Sequence, residues 1–198
     1  MRIIKDEDIF KHIDEYDVIL VGTNTYCTMS QGLQRDIMLH YPHVQERNME
    51  TRYGDKSKLG TIVQVDGKPI FALMYICEGN FRPDIRKDYL DYEALFKSAK
   101  ISSILFKDKK VACPLLGGSR FDGNGDHDRI MKILSDAFGS LDVDIYDYFQ
   151  KSKLEKLKEV RENELRVKAV DRLAYYKMVA ERKEREKKIK ELNGHTKT

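Results

Sequence analysis

The sequence predicts an α/β domain, in which helices cover a β-sheet, followed by one long helix. In residues 1–150, short apolar runs alternate with amphipathic stretches, which is typical of a helix-covered sheet. Apolar residues make up 41% of the 198 residues, with only four prolines and twelve glycines, so one sizeable core can form. Residues 152–193 contain neither Gly nor Pro. We therefore expect a domain at 1–150 and a charged amphipathic helix at 151–198.

The first predicted strand is residues 18–21, an apolar run typical of a strand buried on both faces, and Gly22 ends it. A polar, glycine-containing loop follows. Apolar side chains spaced by three and four residues then predict a helix over residues 33–41, which Pro42 ends. The order is therefore strand, loop, helix.

Six further elements complete the predicted domain. Residues 61–65 and 70–76 form a hairpin, because Asp66-Gly67-Lys68 between them is a tight-turn sequence. The others are a helix around 90–99, a short buried strand at 110–113, a helix over 130–138 and a last strand at 143–146.

Charge is unevenly distributed, although the whole chain carries a net charge of only +3. Residues 151–198 hold sixteen Lys and Arg against nine Asp and Glu, a net charge of +7, which leaves −4 for residues 1–150. The small total gives no reason to expect a nucleic-acid or membrane partner. Glutamates interspersed in the basic tail favour a solvated or self-associating helix over a nucleic-acid contact, and a homo-oligomer formed through this helix is a hypothesis.

Membrane, secreted and metal-stabilised classes are not favoured. No apolar run approaches the roughly 20 residues that span a bilayer, and the N-terminus turns acidic where a signal peptide needs an apolar stretch. A cytoplasmic protein is expected. The chain has an odd number of cysteines, Cys27, Cys77 and Cys113, and they show no CxxC spacing. Neither a disulfide framework nor a metal site is therefore predicted. No resident cofactor is implied.

Two loops are candidates for chemistry, and each leaves the carboxyl end of a predicted buried strand and leads into a helix. At that edge of an α/β sheet, free backbone N–H groups and helix N-termini attract phosphate. The first loop, residues 22–32, offers an amide, hydroxyls and glycines but lacks the lysine of a Walker-type loop. The second, residues 117–125, has four glycines, which permit close backbone approach to an anion, and Arg120. Each loop alone is equally consistent with a structural turn, but the pair favours a nucleotide or phosphate ligand.

Several segments resemble, in family order, the macro domain family. They are Asp8-Ile9-Phe10, residues 16–24, Gln31-Gly32-Leu33 with His40-Tyr41-Pro42, Leu59-Gly60-Thr61-Ile62, and Cys113-Pro114-Leu115-Leu116-Gly117-Gly118. Together they extend over residues 8–146. The resemblance implies a three-layer α/β/α domain with a mixed sheet, which holds ADP-ribose or a derivative in a cleft along the strand ends.

The resemblance also implies roles for individual residues. Asp8 would accept a hydrogen bond from the adenine amino group, with Ile9 beside it, and Asn24 would face the distal ribose. Ser30, Gln31 and Gly32 would line the first loop, and the second loop, which would hold the diphosphate, contributes Gly117, Gly118, Ser119 and Arg120. Backbone N–H groups can bind a diphosphate without a lysine, and a carboxylate at the exocyclic amine selects adenine over guanine.

In its catalytic positions the chain departs from the family. Many ADP-ribosyl hydrolases of the family have a glycine run followed by an acidic residue in the first loop, where this chain has Met29-Ser30-Gln31-Gly32-Leu33. The chain looks closer to the branch of ADP-ribosyl-glutamate deacylases and ADP-ribose 1''-phosphate phosphatases. The deacylases use a lysine just after the strand at 70–76, where this chain has Glu78-Gly79-Asn80, and a second-loop aspartate that only Asp122 supplies. Lysine nucleophile chemistry is therefore not expected.

Other candidates have structural alternatives. In Asp126-His127-Asp128, at the start of a helix, a histidine between two carboxylates can act as a general acid or base. A helix cap or first-turn acid is the favoured interpretation of the aspartates. His40 and His43 are expected at the surface and Cys113 in the core. A nucleophilic role for Cys27 lacks an identifiable base.

Three hypotheses for function follow. The leading one is a domain that binds ADP-ribose or an ADP-ribosylated macromolecule. An alternative is an enzyme that hydrolyses an ADP-ribose linkage or terminal phosphate, with Asp122, Asp126 or His127 as acid or base. The third is an interaction protein assembled through its C-terminal helix, with a vestigial pocket.

Overall fold

The computed structural model describes residues 1–5, 7–79, 87–118 and 123–147. Within these ranges the chain forms six β-strands and four α-helices, together with two 3₁₀ helices. The strands are β1 (Arg2–Lys5), β2 (Val18–Asn24), β3 (Ile62–Val65), β4 (Ile70–Cys77), β5 (Val111–Pro114) and β6 (Val143–Asp147). The helices are α1 (Gly32–His40), α2 (Pro42–Met49), α3 (Tyr92–Leu105) and α4 (His127–Phe138), and the 3₁₀ helices are Ile9–Glu15 and Lys56–Lys58.

The strands form one mixed sheet in the order β1-β6-β5-β2-β4-β3. Neighbouring strands are parallel except for β3, which pairs antiparallel with β4 as the predicted hairpin. Parallel pairing places the carboxyl ends of β1, β6, β5, β2 and β4 at one edge of the sheet. Both candidate loops therefore leave from the same edge.

Helices cover both faces of the sheet, which confirms the three-layer α/β/α prediction. Successive side chains of a strand point to opposite faces. Val18 and Leu20 of β2 accordingly pack in the core formed with α3 and α4, whereas Ile19 and Val21 pack with α1, α2 and the first 3₁₀ helix. Cys113 lies in the first of these cores, as predicted, and burial raises the pKa of its thiol well above the ordinary value.

Two elements escape the sequence prediction, β1 and α2. The side chains of β1 are exposed or half-buried, so this strand has no buried apolar run to reveal it. Pro42 follows the end of α1 as predicted, but it also occupies the first turn of α2, where a helix has no partner for the N–H that proline lacks. β2 continues beyond residue 21, because Gly22, Thr23 and Asn24 keep pairing with β4.

The helix predicted over residues 151–198 and its self-association lie outside the described residues, so both remain predictions, as does the domain boundary at residue 150. His40 and His43 are exposed, as predicted. None of the helices in the described ranges is long and apolar enough to cross a membrane.

Candidate functional site

The two candidate loops leave from adjacent strands. β2 and β5 pair in parallel and end at Asn24 and Pro114, so the loops that follow them start side by side. The first leads to α1 at Gly32 and the second to α4 at His127. This confirms the predicted strand-loop-helix order, which makes backbone N–H groups and helix N-termini available to an anion at this edge.

Asn24 shapes the first loop from within. Its Oδ1 accepts hydrogen bonds from the backbone N–H groups of Tyr26 (3.1 Å) and Thr28 (3.3 Å). Its Nδ2 donates to the carbonyl (3.0 Å) and the hydroxyl (2.8 Å) of Thr28. Both ends of this buried amide are thus occupied within the loop. A contact of Asn24 with a distal ribose remains a prediction.

The first loop is also tied to the end of β4. The Thr25 N–H donates to the Cys77 carbonyl (3.2 Å), and the Thr25 hydroxyl donates to the Glu78 carbonyl (2.7 Å). The Glu78 carboxylate forms an ion pair with Lys56 of the second 3₁₀ helix (2.8 Å). Residues 77 and 78, at the end of β4, therefore support the first loop, and Glu78 adds an acidic side chain there.

The N-terminus of α1 is open. Ser30, Gln31 and Gly32 are exposed, and Gln31, the N-cap residue, makes no side-chain hydrogen bond to the helix. Gly32 has φ +56°, and a Cβ placed there would meet no atom within 4 Å. The first-turn N–H groups therefore have no side-chain cap, and they lie at the positive end of the helix dipole. This helix end can accept an anion.

The glycines of the second loop lie close to leucine side chains. A Cβ at Gly117 or Gly125 would lie 2.5 or 2.6 Å from a Leu90 methyl group, and one at Gly118 would lie 2.7 Å from a Leu115 methyl group. Gly117 also has φ +75°, and its carbonyl accepts a hydrogen bond from the Gly125 N–H (2.9 Å). The described ends of the loop, residues 117–118 and 123–125, are thus joined by this bond, an arrangement that the glycine pattern alone does not indicate.

Asp8 begins the first 3₁₀ helix. Its Oδ1 accepts a hydrogen bond from the Phe10 N–H (3.0 Å), so this exposed carboxylate is an N-cap. Among the described residues no partner occupies its other oxygen, which remains available as an acceptor. Ile9 is buried in the core beside α1 and α2, so little of its side chain is exposed to a base. A contact of Ile9 with adenine remains a prediction.

Asp126 is the N-cap of α4, which confirms the favoured interpretation. Its Oδ1 accepts a hydrogen bond from the Arg129 N–H (2.9 Å), and its own N–H donates to the hydroxyl of Tyr92 (2.8 Å). Burial, together with a hydrogen bond to Asp88, raises the pKa of Tyr92 to about 12. Asp126 therefore has a structural role, and its part in catalysis remains a prediction, as do the roles of Ser119, Arg120 and Asp122, which lie outside the described residues.

His127 contacts two carboxylates. Its Nε2 lies 2.9 Å from Asp147 Oδ2 at the end of β6, and its Nδ1 lies 3.3 Å from Asp128 Oδ1. The His127 side chain is 42% exposed and the Asp147 side chain only 4%. The hydrogen bond to Asp147 raises the pKa of His127 above its ordinary value, with a smaller contribution from Asp128, while burial opposes the shift. Asp147 is the functional candidate that the sequence missed; its only signal is its place just after the predicted last strand.

The candidate residues occupy one edge of the sheet. Asn24, the open end of α1 and the Gly117-Gly118 turn lie where β2 and β5 end. Asp8 follows β1, and His127 contacts Asp147 at the end of β6, the strand that pairs with β1. The candidate residues thus follow the ends of two pairs of neighbouring strands, β2 with β5 and β1 with β6.

No protein-family profile matches the sequence, and no curated protein matches it significantly. Solved structures do match. The macrodomain of Thermus aquaticus DarG is 13% identical, with a TM-score of 0.57 over 75% of this chain and 97% of that chain. Thermosipho africanus DarTG in complex with ADP-ribose is 15% identical, with a TM-score of 0.57 over 74% of this chain and 41% of that one. A macrodomain protein from Streptomyces coelicolor is 16% identical, with a TM-score of 0.50 over 67% of this chain and 88% of that chain. The chain therefore has the macrodomain fold.

Proposed function

We propose that this chain binds ADP-ribose or a related ADP-ribosyl nucleotide, free or attached to a macromolecule, in the cleft at the carboxyl edge of the sheet. The observation that carries the proposal is the open N-terminus of α1, uncapped and facing free space, beside the Gly117-Gly118 turn. An anion at that position would receive backbone N–H hydrogen bonds and the favourable end of the helix dipole. Among structures of the same fold, DarTG is in complex with ADP-ribose.

In this proposal each end of the ligand has its own partner. The diphosphate lies at the N–H groups of residues 30–32, on the side of the second loop, from which Arg120 adds a positive charge. Asp8 uses its second carboxylate oxygen to accept a hydrogen bond from the adenine amino group. Guanine presents a carbonyl at the equivalent place, so it would repel this carboxylate. Asn24 keeps the first loop in the shape that receives the distal ribose.

Calorimetric titration of the full chain with ADP-ribose tests the proposal. We expect binding that weakens about tenfold or more in Asp8→Ala, because a charge-assisted hydrogen bond is lost. Asp55→Ala is the matched control, since Asp55 caps the other 3₁₀ helix in the same way, accepting from the Ser57 N–H (2.8 Å). Both variants lose a cap, but only Asp8→Ala should lose affinity. Absence of binding at millimolar ligand, or equal affinity in both variants, would contradict the proposal.

A second candidate function is hydrolysis of an ADP-ribose linkage or of the terminal phosphate of ADP-ribose 1''-phosphate. The contact of His127 with buried Asp147 favours it, because a carboxylate that orients an imidazole is a common arrangement for proton transfer. His127, with Asp122 or Asp126, would move a proton at the attacking water or the leaving group. The deacylase lysine is replaced by Glu78-Gly79-Asn80, so a covalent lysine step is not part of this proposal.

Release of ADP-ribose from modified protein or nucleic acid, and of phosphate from ADP-ribose 1''-phosphate, measures this activity. Relative to wild type, we expect His127→Gln and Asp122→Ala to lower turnover roughly a hundredfold, the usual contribution of a general acid or base. His43→Gln, at an exposed site, is the control. Calorimetry on the same samples separates loss of turnover from loss of binding. Equal, negligible turnover in all samples would leave only the binding function.

A further inference from the structure

Cys27 lies next to the amine of Lys58. Lys58 Nζ is 3.2 Å from Cys27 Sγ, and the Thr51 hydroxyl lies 3.2 Å from the sulfur and 3.1 Å from the same nitrogen. The thiol, the amine and the hydroxyl therefore form a closed triangle. Cys27 belongs to the first loop after β2, whereas Lys58 ends the 3₁₀ helix that precedes β3, so two separate segments meet here.

The surroundings hold this triangle in place. Lys58 Nζ lies 4.6 Å from the centre of the Tyr75 ring, which is fully buried in β4. The Tyr75 hydroxyl donates to Asn48 Oδ1 (2.8 Å) and lies 3.1 Å from the Thr51 hydroxyl. Among the described residues Lys58 forms no ion pair with a carboxylate. Its nitrogen therefore has the sulfur, a hydroxyl and an aromatic ring as neighbours.

The pair lies just below the surface. Cys27 is 2% exposed, and Thr51 and Lys58, which contact its sulfur, are both half-buried. All three cysteines are buried, with exposed fractions of 2% for Cys27, 5% for Cys77 and 0% for Cys113, so the inference rests on the contact of Cys27 with the Lys58 amine and not on exposure. A peroxide oxidises a cysteine at its sulfur, which here lies 3.2 Å from the Lys58 amine.

We propose that Cys27 and Lys58 are an oxidisable pair that a peroxide converts into a covalent sulfenamide link. In the first step Cys27 sulfur attacks one peroxide oxygen: the S–O bond forms, the O–O bond breaks, sulfur loses two electrons, and the leaving hydroxide takes the thiol proton as water. In the second, Lys58 nitrogen, having released a proton to water, attacks the sulfur of the sulfenic acid. The S–N bond forms and the oxygen leaves as a second water. Sulfenic acids condense with nitrogen nucleophiles in this way.

The link would join the first loop to the segment before β3. No other oxidant is needed, and a thiol reductant would cleave the S–N bond and restore both side chains. This inference is independent of the ligand of the carboxyl edge, because it rests on the Cys27, Lys58 and Thr51 contacts alone.

Mass spectrometry of the full chain after hydrogen peroxide treatment tests the proposal. We expect an intact mass lowered by about 2 Da, a peptide that joins Cys27 to Lys58 with tryptic cleavage blocked after Lys58, and reversal by dithiothreitol. Lys58→Arg keeps the positive charge but removes the amine, so it should stop at the sulfenic acid, trapped by dimedone. Lys56→Arg, in the same 3₁₀ helix, should still form the link, and Cys27→Ser should not.

The peptide map of the wild-type chain tests for the Cys27–Lys58 link even if a variant folds poorly. A wild-type chain whose Cys27 stays reduced would overturn the proposal. So would oxidation of Cys27 that leaves Lys58 free, or a link that persists in Lys58→Arg.

Discussion

Leu90 occupies the space that side chains would need at two positions of the second loop. Its methyl groups lie 2.5 Å from an ideal Cβ at Gly117 and 2.6 Å from one at Gly125. Leu90 is buried in the core of α3 and α4, so a side chain at either glycine would require the Leu90 side chain to shift within that core. These glycines let residues 117–118 and 123–125 lie close to the core.

Asp147 is held by a single described partner. Its Oδ2 contacts His127, whereas its buried Oδ1 has no hydrogen-bond partner among the described residues. A buried carboxylate that loses its only partner costs more than the bond itself is worth, because the remaining charge stays desolvated. His127 therefore compensates the buried Asp147 carboxylate, and Asp147 in turn orients the His127 ring.

At the scale of elements, the uncapped end of α1 gives a prediction in which stability and affinity change in opposite directions. Gln31 has extended backbone dihedrals, φ −146° and ψ 155°, which suit an N-cap, but its side chain forms no cap. Gln31→Asp should cap the helix and raise the free energy of unfolding by about 1 kcal/mol. Its carboxylate would occupy the anion position, so ADP-ribose affinity should fall about tenfold or more. Denaturant unfolding and calorimetry measure the two effects.

Gln31→Ser separates charge from capping. A serine hydroxyl also caps, so this variant should gain stability, but with no repulsion of phosphate it should lose less affinity than Gln31→Asp. A Gln31→Asp chain that is more stable and binds ADP-ribose as tightly as wild type would show that the ligand does not use this helix end.

The elements that could be predicted are those with strong apolar runs or helical periodicity. β2, β4 and β6 were found because both of their faces are buried, and α4 because its buried face repeats at helical spacing. β1 was missed since it is short and mostly exposed. α2 escapes prediction because a proline after a helical pattern indicates the end of a helix, although proline is equally suited to the first turn of the next one.

At the scale of the whole molecule, the edge of the sheet was predictable but its contacts were not. The strand-loop-helix order alone places Asn24 and Gly117 near the ends of neighbouring strands. The contacts of His127 with Asp147 and of Lys58 with Cys27 join residues 20 and 31 positions apart, and no local pattern in the sequence indicates them. Such pairs depend on the packing of several elements at once.

Two ion pairs connect β6 to different parts of the molecule, and they respond to pH in opposite ways. Asp144 receives two hydrogen bonds from Arg2 of β1 and one from Tyr16 (2.8 Å). Burial alone would raise the pKa of Asp144, but the bonds from Arg2 and Tyr16 outweigh it, so the pKa is lowered. Asp147 pairs with His127 of α4, and the pKa of that imidazole is raised.

The signs of these shifts predict a maximum in stability. Because the pKa of His127 is raised on folding, its contribution is fully present below its unfolded value of about 6.5 and is lost as pH rises through the folded value. The contribution of Asp144 is present above about 3.9 and is lost as pH falls through its lowered folded value. Thermal unfolding of the full chain should therefore give its highest midpoint between about pH 4 and 6.5.

Three variants test this profile. His127→Gln should reduce the fall of the unfolding midpoint above that pH range, and Arg2→Gln should reduce its fall below the range. His43→Gln is the control and should change neither. An unchanged alkaline decline in His127→Gln would show that the His127–Asp147 pair does not link folding to pH.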